Sequence, residues 1–597
     1  SFSIEPPLYK EPFEKVKDTA LYFTTVTNIA PPKFVENSNN YYTGKNRPKP
    51  FSPYVKKTQY QNKNNETITV EVSKAHDFLM FPNIDSVWAL RKKLYSNGKF
   101  AIYDEKRSIS PKGYHELNLT LGDTASSTRI LIKNISKGGL LYELKTNLDT
   151  LGAPSRYITE FYTNFQPTDT LIGRDLMEDK VPDFFRALRE KDSISTDGIR
   201  FLLFSNKHLD SLMYYISEFN FKEDQKNIQA TLIQKMGEID DPAIFPFFRD
   251  LYVNSYNNSN AQTKILQAIS KRGDDYSTEL LLELMSKDLP LVSNKLEIYT
   301  IFKPYMENLE LAKKLYPQIL DYSTIEEYNG PIFSVLADLL TQGFIKSKSY
   351  KKYRMQILND AKLQLKRHLG QWVSPDSQKR FFSNTQIQNT NILEDYEILL
   401  YPFIKDKEVQ QFFNRLLLSS DPKIRTTYVA LLAKDNKNIP FGMIDSLAAD
   451  INSRSLLFNK LKELDKLFLF PLKLRTQQQL AEASFFDQEQ YDETQNKILF
   501  ITQRPIAYRD SEYTGYYFKL RNNQDYDDGY KMYLVVYKNT DDLHTIPFYK
   551  SQGIRIEDTD TDKELIELVT EEFMLKDRQR AVVYRPYQFS TFNQFGF

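Results

Sequence analysis

Hydrophobic and polar positions follow two different periods along this chain. From about residue 171 to about residue 490, apolar residues recur at helical spacing, whereas period-2 alternation dominates before and after that stretch. Alternating runs bounded by Gly, Asn, Ser and Pro are typical of antiparallel strands. The pattern therefore predicts a mostly α chain, in which a helical centre is flanked by a small α+β domain at each end.

The first of these α+β domains is predicted over residues 56–170. Two stretches there, Asp85–Tyr95 and Ser155–Phe165, have helical spacing, and strand-like alternation occurs in ETITVEV from Glu66, KFAIYDE from Lys99, HELNLTL from His115, TRILIKN from Thr128 and LLYELKTN from Leu140. Residues 1–55 are rich in proline, which disfavours helix, so we expect an extended arm or linker there.

The second α+β domain is predicted over residues 491–597. One helix is expected at Thr561–Leu575, and strands are expected at KILFITQ from Lys497, GYYFKLRN from Gly515, KMYLVVYKN from Lys531, GIRIED from Gly553 and RAVVYRP from Arg580.

The helical centre, residues 171–490, divides into about eight pairs of helices. The first helix of each pair is expected near Asp197, Asn227, Ala261, Asn294, Pro331, Leu393, Asp421 and Asn452. A two-helix unit cannot bury its apolar stripe alone, so such units stack on one another. Because the spacing drifts between about 30 and 60 residues, the pattern indicates a degenerate HEAT-like α-solenoid.

The stretch LIQKMGEIDDPAIFPFFRDLY, Leu232–Tyr252, illustrates one such unit. Gly237 is expected to end the first helix, and Asp240 or Asp241 to cap the second, with Pro242 in its first turn. A shift of 34 residues lays the paired aspartates over Asp274-Asp275, and it lays Phe247, Phe248 and Leu251 over Leu281, Leu282 and Met285. This recurrence favours a structural turn over an acidic ligand site.

Composition narrows the possible functions. The formal net charge of the 597 residues is +1, which gives no global field toward nucleic acid or acidic membranes. There is no cysteine, so disulfides, thiolate zinc sites and cysteine nucleophiles are excluded within this stretch. The best membrane candidate, DKLFLFPLKL from Asp465, is shorter than the roughly 18 residues required and is charged. The start at Ser1, without a basic and apolar leader, is typical of a processed or internal terminus.

Catalytic constellations are not visible in the pattern. None of the five histidines, His76, His115, His208, His368 and His544, has a second ligand at metal-binding spacing, and HExxH is absent. His208 and Asp210 are too near in sequence to indicate a triad, and the common nucleotide-binding glycine motifs do not occur. We expect surface or helix-capping histidines and assign no residue as catalytic, cofactor-binding or metal-binding.

Two acidic clusters have part of the ligand pattern of a calcium loop. In NNQDYDDGYK, Asn522–Lys531, the glycine is out of register and Leu534 stands where a bidentate Glu is required, so a hairpin turn is favoured. In EDTDTDKE, Glu557–Glu564, Lys563 replaces the needed glycine, and Thr561 opens a capping box for the last helix.

Two basic runs offer possible binding segments. KSKSYKKYR, Lys346–Arg354, interleaves Tyr with Lys and could grip phosphates, although the solvated face of a repeat helix explains it more simply. KNRPKPFSPYVKK, Lys45–Lys57, is equally well interpreted as a linker or as a proline-rich docking arm.

The order of segments resembles a known family. The strand pair TRILIKN and LLYELKTN leads into SRYITEFYTNFQPTDTLIGRDL and DKVPDFFRALREKDS, and degenerate helical repeats and a β-rich end follow. This layout is similar to the long carboxy-terminal extension of large TraB/GumN-type proteins of Bacteroidetes. The G-x-x-H signature of the family's metalloprotease-like domain is absent here, so the resemblance implies the non-catalytic half, exported to the periplasm or cell surface of a Gram-negative bacterium.

Three functions follow from these patterns. The first is an interaction or scaffold protein that presents its helical repeats to a protein partner, in an envelope or outer-membrane complex, with no nucleic-acid partner. The second is the accessory half of a TraB/GumN-type enzyme whose catalytic domain lies upstream. The third is carbohydrate or nucleic-acid binding through surfaces rich in tyrosine. If the family resemblance does not hold, a cytoplasmic location is the alternative.

Overall fold

The chain forms two compact units, residues 1–254 and 255–597, each described here by itself. The computed structural model describes residues 9–32, 53–95, 100–122, 128–149, 152–190, 198–221, 225–292, 295–370, 385–419, 421–486, 496–522, 529–557 and 559–576. Antiparallel sheets near the amino terminus, a helical centre and an antiparallel sheet near the carboxy terminus agree with the predicted order. About half of the chain is helical, so the fold is mixed rather than mostly α.

Two antiparallel sheets form the first part of unit 1. Strand order is β1-β2-β9 in the smaller sheet and β3-β4-β8-β7-β6-β5 in the larger one. The strands are β1 (Glu14–Asp18), β2 (Phe23–Thr27), β3 (Tyr54–Gln61), β4 (Thr67–Lys74), β5 (Ala101–Ile109), β6 (His115–Gly122), β7 (Thr128–Lys137), β8 (Leu140–Asp149) and β9 (Gln166–Pro167). All five predicted strand runs between residues 56 and 170 lie on strands of the larger sheet.

Residues 9–32 differ from the extended arm that the sequence predicted. They contain the β1–β2 hairpin, whose turn is held by Asp18, since one oxygen of its carboxylate accepts the backbone N–H groups of Ala20 and Leu21 at 2.9 Å each. Tyr60 on β3 donates to the other oxygen at 2.5 Å. Leu21 and Phe23 are fully buried in the core of this unit, so the hairpin is part of the folded domain.

Helices complete unit 1. They are α1 (Ile84–Tyr95), α2 (Arg156–Thr163), α3 (Val181–Arg189), α4 (Leu209–Glu218), α5 (Lys226–Gly237) and α6 (Ile244–Asn254). The helix predicted from Asp197 is wrong in the described part of that segment, because only one 3-10 turn forms at Ile199–Phe201. Asp197 itself lies outside the described residues.

Helices also form most of unit 2. They are α7 (Ser259–Arg272), α8 (Asp275–Lys287), α9 (Lys295–Glu307), α10 (Leu309–Leu315), α11 (Glu326–Thr341), α12 (Ser347–Tyr350), α13 (Arg354–Leu369), α14 (Thr385–Leu400), α15 (Lys407–Leu416), α16 (Pro422–Lys434), α17 (Met443–Ala449), α18 (Ile451–Glu463) and α19 (Gln477–Ala483). Each of α7, α9, α11, α14 and α16 packs against the next helix of the series, which ends at α18.

The apolar face of α6 recurs on α8, as the sequence predicts, but at a different offset along the chain. Helix α6 buries Ile244, Phe248, Leu251 and Tyr252, and α8 buries Ser277, Thr278, Leu280, Leu281, Leu284 and Met285. Each buried residue of α6 has a buried counterpart on α8 at an offset of 33 residues, rather than the 34 that aligned the aspartates. The segment between the paired aspartates and the helix is longer before α6 than before α8. Helix α6 begins only at Ile244, whereas α8 begins directly after its cap Asp274.

The predicted helix starts agree with the structure at some positions and disagree at others. Asp421 caps α16 by accepting the N–H of Lys423, as the sequence predicts. Pro331 and Leu393, expected near helix starts, lie inside α11 and α14 instead. Both helices begin earlier, so these two predicted starts are wrong.

The last part of unit 2 is a sheet with one helix. Its strands are β10 (Asn496–Tyr508), β11 (Ser511–Asn522), β12 (Tyr530–Lys538), β13 (Tyr549–Lys550) and β14 (Ile554–Arg555), and α20 (Asp562–Leu575) packs on β12. Strand order is β10-β11-β12-β13, and β14 also pairs with β12. The strand expected from Arg580 lies outside the described residues.

Candidate functional site

The histidines occupy structural positions. Nδ1 of His208 accepts the backbone N–H of Ser205 at 3.0 Å, and its Nε2 lies 3.1 Å from Oδ2 of Asp179. The first contact belongs to a capping box at the 3-10 turn before α4, so the expected capping role of His208 is confirmed. Nε2 of His368 lies 2.8 Å from Oγ of Ser419.

The other histidines also have identified places. Nδ1 of His76 accepts the N–H of Phe78, and its ring stacks on Phe201 at a centroid distance of 4.3 Å. His544 Nε2 lies 2.7 Å from Thr540 Oγ1, and His115 begins β6. Within the described part of the chain, no cluster of His, Asp or Glu side chains could hold a metal ion.

The acidic clusters form the predicted local structures where they are described. Thr561 and Glu564 make a reciprocal capping box at the start of α20, as expected. The first cluster lies between β11 and β12, which pair antiparallel with Arg521 opposite Tyr530, so it connects a hairpin. Residues 523–528 and 558, which include most of the candidate calcium ligands, lie outside the described residues.

The basic run Lys346–Arg354 contributes to the helical packing. Tyr350 is fully buried and donates to the carbonyl of Leu399 at 2.9 Å, and Tyr353 donates to Asp321. Arg354 pairs with Asp406. Tyr350 is therefore unavailable to a ligand, and the hydroxyl of Tyr353 is already engaged by an acidic side chain. Of Lys45–Lys57, only residues 53–57 are described, and residues 54–57 form the first half of β3.

Helix α14 carries a group of inward-facing acidic side chains that sequence reasoning missed. Glu394 accepts from Thr427 Oγ1 at 2.9 Å and lies 3.7 Å from the ammonium group of Lys460. Ser334 on α11 donates to Asp395. Glu397 is fully buried, and its two carboxyl oxygens have no hydrogen-bond partner among the described residues.

The environment keeps part of this acidic group neutral. Desolvation, with smaller contributions from Asp338 and Glu394, raises the pKa of Asp395 to about 8. Desolvation also raises the pKa of Glu397 well above its ordinary value. A raised carboxyl pKa is a common property of active sites, but a protonated acid among packed helices also serves as an internal hydrogen-bond donor. We interpret the group as a polar part of the helical core.

A second feature is an exposed apolar surface on two neighbouring loops. We call residues 435–442, between α16 and α17, and residues 464–476, between α18 and α19, the paired-loop surface. Phe441 is fully exposed, and Phe468 and Leu472 are 71% and 73% exposed. Lys466 Nζ donates to Asn436 Oδ1 at 2.7 Å and so joins the two loops.

The core beneath the paired-loop surface holds the two loops in place. Ile439 from the first loop and Leu467 and Leu469 from the second pack on one cluster, in which Phe458 and Phe470 are buried. Phe470 meets Phe458 edge to face, with ring centroids 5.4 Å apart. Phe441, Phe468 and Leu472 therefore project from well-packed loops.

The charges of the paired-loop surface are predominantly basic. The two loops carry Lys437, Lys466, Lys473 and Arg475 against Asp435 and Asp465. Lys437 lies 3.6 Å from Asp435 and 4.8 Å from the centre of the Tyr401 ring. Apolar side chains that project between cations are suited to a partner that has both apolar and acidic groups.

No family model matches the chain, and no curated protein matches it significantly. Among the described residues, no helix has the length and apolarity that crossing a membrane requires.

Proposed function

We propose that this protein is a non-catalytic interaction protein that binds a protein partner through the paired-loop surface. The observation that carries the proposal is the fully exposed Phe441, next to a loop that exposes Phe468 and Leu472. Large apolar side chains that are exposed on neighbouring, ordered loops are typical of protein contact sites.

We further propose that the helical centre is a HEAT-like solenoid of about eight pairs, which acts as the scaffold for these loops. The packing of α7, α9, α11, α14, α16 and α18 in succession supports this proposal. In such an array every pair buries its apolar face against its neighbours, while the connecting loops remain available to partners. The resemblance of layout to TraB/GumN-type proteins favours a place in the bacterial envelope.

Substitution of the three exposed side chains tests the proposed surface. Burying each on binding is worth roughly 1.5 kcal/mol, so Phe441→Asp, Phe468→Asp and Leu472→Asp together should cost about 4 kcal/mol, which is about a thousandfold in affinity. The 597-residue chain is produced with a tag in its native source as wild type and as the triple variant. Both are purified, and the proteins that accompany them are quantified by mass spectrometry.

The control is Leu291→Asp, because Leu291 is 84% exposed in a different loop, after α8. We expect a defined set of proteins to accompany the wild type and the control but not the triple variant. Retention of the same set by the triple variant, with native circular dichroism, would exclude the paired-loop surface as the binding site.

A further inference from the structure

Four aromatic rings surround one ammonium group in the last domain of unit 2. Nζ of Lys576, the residue that follows α20, lies 3.7 Å from the ring centre of Phe548 and 4.9 Å from that of Phe573. It also lies 5.0 Å from the ring centre of Tyr508 and 5.7 Å from that of Tyr549. All four distances are within the range of attractive cation–π interactions. We call these four rings the aromatic cage.

The rings of the aromatic cage hold one another in place. Phe573 is fully buried, and its ring centre lies 5.0 Å from that of Tyr508 and 5.2 Å from that of Tyr549. Tyr513 supports the cage from behind, 4.7 Å from Phe548. Tyr549 donates to Glu572 at 3.0 Å. The cage is therefore preorganised, so little side-chain entropy is lost when a cation enters it.

The occupant of the cage belongs to the residue directly after α20, and one wall of the cage is exposed to solvent. Lys576 follows the last residue of α20, and its backbone N–H makes a terminal hydrogen bond to the carbonyl of Phe573 at 3.2 Å. Phe548 is 48% exposed. A cation in solution can therefore reach the rings from the side of Phe548 and compete with the ammonium group of Lys576 for them.

We propose that the aromatic cage is a binding site for quaternary ammonium groups, and that Lys576 is its internal competitor. A quaternary ammonium is less strongly hydrated than the primary ammonium of lysine, so it gives up less hydration when aromatic faces replace water. The neighbouring carboxylate of Glu572 adds attraction for a cation and disfavours a ligand that also carries phosphate. A trimethylated lysine side chain therefore fits this site better than a phosphocholine head group.

The test uses the full chain and tetramethylammonium, with binding measured by saturation-transfer difference NMR on the methyl signal of the ligand. We expect Lys576→Ala to bind at least tenfold more tightly than the wild type, because the competitor is gone. Lys563→Ala, which removes an exposed lysine from the first turn of α20, should bind like the wild type. Phe548→Leu, added to Lys576→Ala, should weaken binding at least fivefold, since Leu retains apolar volume without an aromatic face.

The neutral isostere tert-butyl alcohol shows whether charge matters, and it should give at least tenfold weaker binding to Lys576→Ala. Equal binding of the alcohol and the cation, or equal affinities of Lys576→Ala and Lys563→Ala for the cation, would overturn the proposal. Nε-trimethyl-lysine should displace tetramethylammonium at a lower concentration than phosphocholine does. The reverse order would refute the assignment of a methylated lysine as the better ligand.

Discussion

Replacing Asp395 by Asn tests whether the acidic group on α14 is held protonated by the helical core. The environment raises the pKa of Asp395 from 3.8 to about 8, so the folded chain keeps a proton that the unfolded chain releases. The protonated carboxyl group makes its full contribution to the free energy of unfolding below pH 4, and this contribution is lost as the pH rises toward 8. Asn cannot ionise, and its carbonyl oxygen can still accept the hydroxyl of Ser334.

The magnitude follows from the size of the shift. Each pKa unit corresponds to about 1.4 kcal/mol, so a shift of about 4 units sets an upper limit of roughly 6 kcal/mol. Because solvent still reaches part of Asp395, screening reduces this limit, and we expect about 3 kcal/mol. Asp395→Asn should therefore match the wild type below pH 4, and its advantage in local stability should grow with pH to about 3 kcal/mol at pH 8.

The assay is hydrogen–deuterium exchange of the peptide that covers residues 393–400, with variant and wild type compared at the same pH. Because the intrinsic exchange rates cancel, about 3 kcal/mol appears as a protection about a hundredfold higher in the variant at pH 8. The control is Asp445→Asn, since Asp445 is exposed on α17, and it should leave α14 unchanged. Parallel exchange profiles of Asp395→Asn and wild type from pH 5 to 8 would refute the reasoning.

Three further substitutions probe the packing around the proposed sites. Glu397→Leu should stabilise the helical centre by about 1–3 kcal/mol in urea denaturation at pH 7, because both carboxyl oxygens are buried without a described partner; a loss of stability would contradict this. Arg454→Met should cost about 3 kcal/mol in the same assay, since it leaves Glu482 and the carbonyls of Ala448 and Gln479 without their donor. Gly553→Ala should destabilise the last sheet by at least about 1 kcal/mol, because φ is +85° and the added methyl group would lie 2.4 Å from the Tyr533 ring. An unchanged melting temperature would exclude that clash.

Sequence patterns located the sheets of residues 56–170 because their strands alternate clearly, and they missed the β1–β2 hairpin because its strands do not. On β2 the buried residues are Phe23, Thr25 and Thr27, whereas the apolar Val26 faces outward. A strand whose inward positions are mostly threonine has no apolar period-2 signal. The buried hydroxyl of Thr25 donates a hydrogen bond to the carbonyl of Phe161. This contact cannot be inferred from the sequence.

Neither proposed site could be located from sequence. The run Leu467–Phe470 is uniformly apolar, yet Phe468 is exposed and Phe470 is buried, because packing of the loop against Phe458 decides which side chain points inward. The aromatic cage takes its rings from three separate segments of the chain. Such groupings depend on tertiary contacts between residues that are far apart in sequence.

The mass of the native assembly tests the central claim, that this chain works by binding a protein partner through the paired-loop surface. The 597-residue chain is produced with a tag in its native source, purified under native conditions, and analysed by mass photometry beside the variant with Asp at positions 441, 468 and 472. We predict that the wild type forms a particle heavier than the 70.1 kDa chain and contains a second protein, and that the variant is recovered at the mass of the chain alone. A wild type recovered alone as a monomer, or a variant that keeps the heavier particle, would contradict the account.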